Sequence, residues 1–241
     1  MSKIHFITYA DQNFAKSGER ICEEAKAFGE FDTIKMLTPD YLPEDFKNEY
    51  KDILKIKKGG GYWIWKPKII YDTLVDINDS DLLLYLDAGS SLNINGKNRF
   101  NKYVSILKNY ETDIVAFPQP AYKESEWTTK EVFSHFNIFK SSIITDTPQY
   151  NAGCVFMRNS SNTRRLFHSS LVALEVDRQL FTDYYAKNIQ CSGFKAPRHY
   201  QSIFSCLYKS FITEIFNKNE IDGNGKSFNS EYPFWATRIR E

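Results

Sequence analysis

Apolar and polar residues fall into blocks along this chain, and the blocks predict its elements. Lys3-Ile4-His5-Phe6-Ile7-Thr8-Tyr9-Ala10 is a β-rich apolar run, which predicts a buried strand. Asp11-Gln12-Asn13 follow as turn and cap residues. From Phe14 to Phe28, the side chains of Ile21, Cys22, Ala25 and Phe28 share one face at helical spacing, and Gly29 suits a helix stop. Phe31 to Leu37 predicts a second strand, broken at Thr38-Pro39. Strand, helix, strand is the start of an α/β domain with parallel pairing. Residues 40–58 are charged and Lys-rich, which predicts an exposed helix or loop. Pro67 fits the first turn of a helix, where its missing N–H costs nothing. That helix would bury Ile69, Ile70, Thr73 and Leu74 and stop at Asn78-Asp79-Ser80.

Asp81-Leu82-Leu83-Leu84-Tyr85-Leu86-Asp87 suits a central strand buried on both faces. Beyond it, residues 100–110 predict a helix and Asp113 to Phe117 a buried strand stopped by Pro118 and Pro120. Lys130 to Phe139 predicts a short helix, and Asn151 to Met157 a strand entered through a small-residue turn. Residues 161–188 read as a long helical stretch. Gln201 to Phe211 predicts an amphipathic helix, and Phe211 to Phe216 a late strand. With no repeat and no linker, one domain over residues 1–241 is the simplest organisation.

Composition narrows the classes. The 241 residues are 42% hydrophobic and 25% charged, which excludes disorder by composition. Lys+Arg number 31 against 30 Asp+Glu, a net charge of +1. No global basic field recruits nucleic acid, so no nucleic-acid partner is expected. No apolar run approaches the roughly 18–20 residues of a transmembrane helix. Met1-Ser2-Lys3-Ile4-His5 enters the first strand directly, so no signal peptide and a cytoplasmic location are expected. Cys22, Cys154, Cys191 and Cys206 show no Cys-x-x-Cys spacing. They read as small buried hydrophobes in a reducing compartment.

The strongest chemical signal runs from Trp65-Lys66, through a helix, to Leu84-Tyr85-Leu86-Asp87-Ala88-Gly89. In open α/β sheets, ligands bind beyond the carboxyl ends of the strands. A carboxylate there can hold a hard divalent cation, which would neutralise a diphosphate leaving group. A lysine at a helix start adds charge toward a phosphate or a sugar hydroxyl. The plain alternative for Asp87 is a cap on the turn after the strand. Gly59-Gly60-Gly61 is no Walker loop, since no Gly-Lys-Ser/Thr follows; it is a hinge at a donor site or a plain connection. Lys55, Lys57 and Lys58 suit a solvated face, and His5 and His168 structural positions. Gly-x-Ser-x-Gly and His-Glu-x-x-His are both absent.

Thr8-Tyr9-Ala10, a helix opened by Lys66, Leu86-Asp87-Ala88, Asn151-Ala152-Gly153 and Gln201-Ser202 on a helix occur in the order seen in nucleotide-sugar glycosyltransferases. The chain resembles the GT-A fold, an α/β mixed sheet flanked by helices, and within it the glycogenin-like family 8. It is similar above all to bacterial and large-virus sugar transferases with a Gly-Tyr-Trp-x-Trp-Lys-Pro motif, here Gly61 to Pro67. The resemblance implies a nucleotide-sugar half over about residues 1–117 and an acceptor-side half from about residue 118 to the end. It implies transfer of a sugar from a nucleoside diphosphate sugar, a UDP-sugar, to a glycan or protein hydroxyl, with Mn2+ or Mg2+. Thr8, Tyr9 and Ala10 would hold uridine, and Lys66 the donor sugar or diphosphate. Asp87 would be the first metal carboxylate; Asn151 and Gly153 would line the sugar pocket, and Gln201 would stand near the reacting carbon. Arg238 and Arg240 would close over the diphosphate.

Three departures stand out. The second metal carboxylate is missing, since Asp87 is followed by Ala88-Gly89. The aspartate expected before Gln201 is Tyr200. No histidine follows His199. His199 is therefore either a substitute metal ligand or a surface residue. The arginines could instead take over part of the charge neutralisation. With Tyr200 in place of a carboxylate, an inverting enzyme would need another base, such as Glu131, Asp177 or Asp183. Trp63, Trp65 and Trp127 could stack on sugar or uracil, or pack. Glu124 to Lys130 resembles an acceptor loop. A catalytically silent nucleotide-sugar-binding or scaffold protein is the alternative from another class. A nucleotidyltransferase would carry a Gly-rich first loop, which Thr8-Tyr9-Ala10-Asp11 is not.

Overall fold

Every residue of Leu82–Leu86 is buried, as an apolar run between two helical layers requires. The structure, a computed structural model, describes residues 2–138, 141–213, 215–222 and 228–240. Its strands are β1 (Ile4–Tyr9), β2 (Thr33–Leu37), β3 (Leu82–Leu86), β4 (Ser91–Leu92), β5 (Ile114–Val115), β6 (Pro118–Lys123), β7 (Pro148–Tyr150), β8 (Cys154–Arg158) and β9 (Phe234–Trp235). The central sheet has the order β2-β1-β3-β8-β5. β1 runs parallel to β2 and β3, while β8 is antiparallel to β3 and β5. The architecture is the expected α/β mixed sheet flanked by helices. β8, from the second half of the chain, lies between β3 and β5, so both halves share one sheet.

The twofold period of the strands sorts side chains to two cores. Ile7, Leu83, Tyr85, Val155 and Met157 face one core with Ile69, Ile70, Leu74, Leu166, Phe167, Ile203 and Phe204. These come from the helices Trp65–Asp76, Ser161–Val176 and Tyr200–Phe211. Phe6, Leu82, Leu84, Leu86 and Phe156 face the other core with Ile21, Ala25, Phe28, Phe100, Tyr103 and Leu107. The latter lie on the helices Ala15–Phe28 and Lys97–Lys108. Each fully buried leucine or phenylalanine contributes about 1.5–3 kcal/mol.

Three expectations are corrected. The stretch 161–188 is helical only to Val176. There the Asp177 carboxylate turns away to cap the amide of Gln179 at 3.0 Å, opening a 3-10 turn, Arg178–Phe181. No strand forms among the described residues of 211–216; Glu214 lies outside them. Ile212 and Phe216 instead dock singly, one in each core. Residues 40–58 are not wholly exposed, since Phe46, Tyr50 and Ile53 enter the first core. Cys22, Cys154, Cys191 and Cys206 are free thiols, and Cys154 and Cys206 are buried. Among the described residues no helix is long and apolar enough to cross a membrane.

The glycine run forms a tight turn. Gly59, Gly60, Gly61, Tyr62 and Trp63 take φ of 61°, 54°, 92°, 55° and 60°, a tight left-handed turn. Glycine is the residue for such a path. A β-carbon on Gly61 would meet the Leu54 backbone at 2.8 Å. The turn leads into the Trp65–Asp76 helix and fixes the approach of Trp65 and Lys66.

Candidate active site

β3 ends at the proposed site. The Lys66 ammonium, 5% exposed, donates to Asp87 Oδ1 at 2.7 Å, while the Asp87 side chain stays 44% exposed. Lys66 also donates to the Ala152 carbonyl at 3.2 Å, and the Tyr85 hydroxyl donates to Asp87 Oδ1 at 2.6 Å. Burial, then the Asp87 charge, pushes the Tyr85 phenol well up, so it stays a donor. The helix start and the strand end thus meet as the motif pair required.

Asn151 and Gly153 shape the opposite wall. The Gly153 amide donates to Asn151 Oδ1 at 2.6 Å, and the Asp87 amide to the Gly153 carbonyl at 2.8 Å. A β-carbon on Gly153 would stand 2.4 Å from Asp87 Oδ2. Both residues therefore join Lys66 and Asp87. The C-terminal segment reaches the same place. β9 pairs with β4. Beyond it the Thr237 hydroxyl donates to the Gly89 carbonyl at 2.8 Å and the Ile239 amide to the same oxygen at 2.9 Å. Arg238, at φ 58°, and Arg240 are beside this seam and accessible to solvent.

At the end of β1, Tyr9 and Trp65 stack at 3.7 Å and 18°, and Trp65 Nε1 donates to the Gly59 carbonyl at 3.0 Å. Both are mostly buried, and Thr8 and Ala10 are buried too. Thr8 Oγ1 has no hydrogen-bond partner among the described residues. Burial, then Asp11 and Asp40, pushes the Tyr9 phenol up.

Gln201 and His199 stand in other networks. Gln201 Nε2 donates to Gln119 Oε1 at 3.0 Å and Gln149 Oε1 at 2.9 Å. His199 Nε2 lies 3.0 Å from Asp183 Oδ1 and its ring stacks on Tyr62 at 4.9 Å, so it is buried and not a surface histidine. Burial holds its pKa down despite Asp183. Tyr200 is fully buried. Of the carboxylates considered as base, Glu131 accepts from the Ala186 amide and from Gln190, and Asp177 caps Gln179. Asp183 accepts from Lys58, Tyr62 and His199. Burial works against its charge, but these three donors hold it below the usual carboxylate range.

The chain by itself offers no complete ligand set for a divalent cation among the described residues. Asp87 Oδ1 is taken by Lys66 and Tyr85, and His199 faces Asp183 instead of Asp87. Among the described residues no group of three or more His, Cys, Asp or Glu could hold a metal ion. Magnesium is usually held by one or two carboxylates together with waters and substrate phosphates, and here one Asp87 oxygen remains free of Lys66 and Tyr85. The expected pairing of Asp87 with His199 on a metal is therefore not formed, because each already has a partner within the chain.

Sequence reading passed over Arg198. Its guanidinium lies 3.6 Å over the Tyr122 ring and donates to Gln119 Oε1 at 3.1 Å. The signal available was its place just ahead of Gln201, in Pro197-Arg198-His199-Tyr200-Gln201. Trp127 meets Tyr122 edge-on at 5.2 Å, and its buried Nε1 has no partner among the described residues. A surface recess of about 980 Å³, lined by Asn98, Arg99, Lys102, Glu220 and Tyr232 among others, includes neither Lys66 nor Asp87.

No protein-family model matches this chain, and no curated protein matches it. Among solved structures it is similar to mouse xyloside xylosyltransferase 1 in its apo form, at 12% identity and a TM-score of 0.47, over 97% of this chain and 96% of that one. It is similar to the glycosyltransferase GlyE of Streptococcus pneumoniae TIGR4, at 12% identity and 0.45, over 88% of this chain and 44% of that one. A glycosyltransferase involved in glycosylation of the major capsid of PBCV-1 follows at 11% and 0.37, over 72% and 66%.

Proposed function

We propose that the chain is a GT-A glycosyltransferase that moves a sugar from a nucleoside diphosphate, UDP by the resemblance, to a glycan or protein hydroxyl. The observation that carries this reading is the Lys66–Asp87 pair at the carboxyl end of β3, with Asp87 half exposed and Gly153 in contact with it. In the reaction the bond between the anomeric carbon and the diphosphate oxygen breaks, and the diphosphate keeps the electron pair. The acceptor oxygen bonds to that carbon, and its proton leaves on the departing diphosphate. Lys66 supplies positive charge where the diphosphate becomes more negative, which is electrostatic stabilisation by a preorganised group. Asp87 holds Lys66 in position, and Asn151 with Gly153 shapes the wall beside it.

Asp87→Ala is a poor test, because it leaves the buried Lys66 ammonium without its carboxylate, at a cost of about 1–3 kcal/mol. Asp87→Asn keeps an acceptor for Lys66 and Tyr85 and removes only the charge. It is expected to lower transfer from UDP-sugars by about 10²-fold or more, with a smaller loss of melting temperature than Asp87→Ala because Lys66 and Tyr85 keep an acceptor. Near-full activity of that variant would sink the reading.

A second reading, a catalytically silent nucleotide-sugar-binding protein, is favoured by one observation: Tyr200, at the place of the expected aspartate, is fully buried. Calorimetry and a donor-hydrolysis assay over a panel of nucleotide sugars separate the two. Binding with no turnover of any donor supports the silent protein.

A further inference from the structure

Three non-glycine residues with positive φ pack together. Tyr62 and Trp63 take φ of 55° and 60°, and His199 takes φ 52° with ψ −129°. Residues with a β-carbon rarely adopt such a path. It costs energy and persists only where the surroundings hold it. The buried His199 ring stacks on Tyr62 at 4.9 Å and lies 5.5 Å from the Trp63 ring. Asp183 fastens this group. Its Oδ1 lies 3.0 Å from His199 Nε2, and its Oδ2 accepts from the Tyr62 hydroxyl at 3.1 Å. The Lys58 ammonium donates to both oxygens, at 3.0 and 3.1 Å. Lys58 and Tyr62 lie 125 and 121 positions away from Asp183 in the chain.

The segment that carries Asp183 is itself anchored. Arg178 pairs with Glu49 at 2.6 Å, its guanidinium lies 5.3 Å over the Tyr50 ring, and Phe181 is fully buried. Lys58 and Asp183 stay about half exposed, and an exposed ion pair adds little to global stability. Its effect is therefore local. Backbone hydrogen bonds carry the turn on to Lys66. The Tyr62 amide donates to the Lys58 carbonyl at 2.8 Å, the Trp63 amide to the Gly59 carbonyl at 3.1 Å, and the Lys66 amide to the Trp63 carbonyl at 3.0 Å. The approach of Lys66 to Asp87 is thus set by a turn whose strained path depends on Asp183.

We propose that Asp183 is a positioning residue that clamps the 59–63 turn and so sets Trp65 and Lys66 against Asp87. The proposal rests on the function proposed above only for its effect on transfer. Released from Asp183, Tyr62 and Trp63 relax toward ordinary backbone, and Lys66 loses its fixed approach while keeping its own partners. This is a different role from the base that the sequence offered at Asp183, whose oxygens are already met by three donors.

The test compares the full chain with Asp183→Asn and Tyr62→Phe by amide hydrogen exchange and steady-state kinetics. Asp183→Asn replaces an accepting oxygen by a donor, and Tyr62→Phe keeps the ring on His199 and removes only the hydroxyl. The hydrogen-bonded amides of Gly61, Tyr62, Trp63, Ile64 and Lys66 are expected to exchange about tenfold faster in Asp183→Asn, as local opening requires. Tyr62→Phe is expected to show a smaller increase, and the amides of Leu82–Leu86 no change in either variant. In transfer from UDP-sugars, kcat of Asp183→Asn is expected to fall about tenfold while KM for the donor stays within about threefold, because Lys66 acts on charge that develops in the transition state. Asp183→Glu, which keeps the carboxylate, is expected to recover part of both losses. If Asp183→Asn fails to fold, Tyr62→Phe gives the same reading. Unchanged exchange in the turn, or exchange equally faster in Leu82–Leu86, overturns the clamp, as does an opened turn with kcat unchanged. A parent chain that transfers from no nucleotide sugar overturns the function proposed above instead, and the exchange readout then decides the clamp by itself.

Discussion

Gly153 faces the Asp87 carboxylate with no room for a methyl group. A β-carbon there would stand 2.4 Å from Asp87 Oδ2 and 3.0 Å from its Cγ. Lys66 and Tyr85 hold the other oxygen, so the carboxylate cannot step aside cheaply. Gly153→Ala is expected to shift Asp87 and Lys66 together, and displacement on the order of 1 Å costs about 10²-fold in rate. Measured kcat/KM should fall by that order while the melting temperature moves by only a few degrees. A variant as active as the parent would show that the close approach is incidental. At this scale the motif residues were legible, since Lys66, Asp87, Asn151 and Gly153 do converge. The stacking of Arg198 on Tyr122 was not, because such a contact depends on neighbours that only the fold supplies.

The junction of β1 and β3 is tied by Asp81. Its carboxylate accepts from the Lys3 amide at 2.8 Å, His5 Nε2 at 3.2 Å and Asn78 Nδ2 at 3.3 Å. Burial works to raise its pKa, but these hydrogen bonds outweigh it and hold the group below the usual carboxylate range. A depressed folded pKa means stability that is present above the unfolded value of about 3.9 and is lost as pH falls through the folded one. Asp81→Asn should therefore cost about 1–3 kcal/mol at neutral pH. The gap to the parent should close below about pH 4, as read from urea melts across pH. A gap independent of pH would show that shape, not charge, is what matters there. Periodicity announced both strands, but His5 as a partner of Asp81 depends on the register of β1 on β3, which pairs His5 with Leu83.

Across the whole molecule, the C-terminal segment packs into the second core and reaches Gly89. Phe234 is 1% exposed and meets Phe100, Tyr103 and Phe156 edge-on or tilted. The residues after Thr237 carry Arg238 and Arg240 and add little to either core. Phe234→Ala should thus cost about 3–5 kcal/mol. A chain ending at Thr237 should melt within a few degrees of the parent yet bind UDP about tenfold more weakly. Equal affinity for UDP in the shortened chain would remove the C-terminal arginines from the site.

Sequence alone determined the strands β1, β2, β3, β5 and β8, most helices and the two-sided burial of β3. These follow from local patterning, since a period of two or of 3.6 sorts side chains to a face whatever lies opposite. Only the tertiary structure decided where the helix after Ser160 stops, and that Ile212 and Phe216 dock singly. It also decided that Asp87 and His199 take partners apart from each other, and that Arg198 lies over the Tyr122 ring. Each of these depends on residues far apart in the chain, whose mutual distance and desolvation no local pattern encodes.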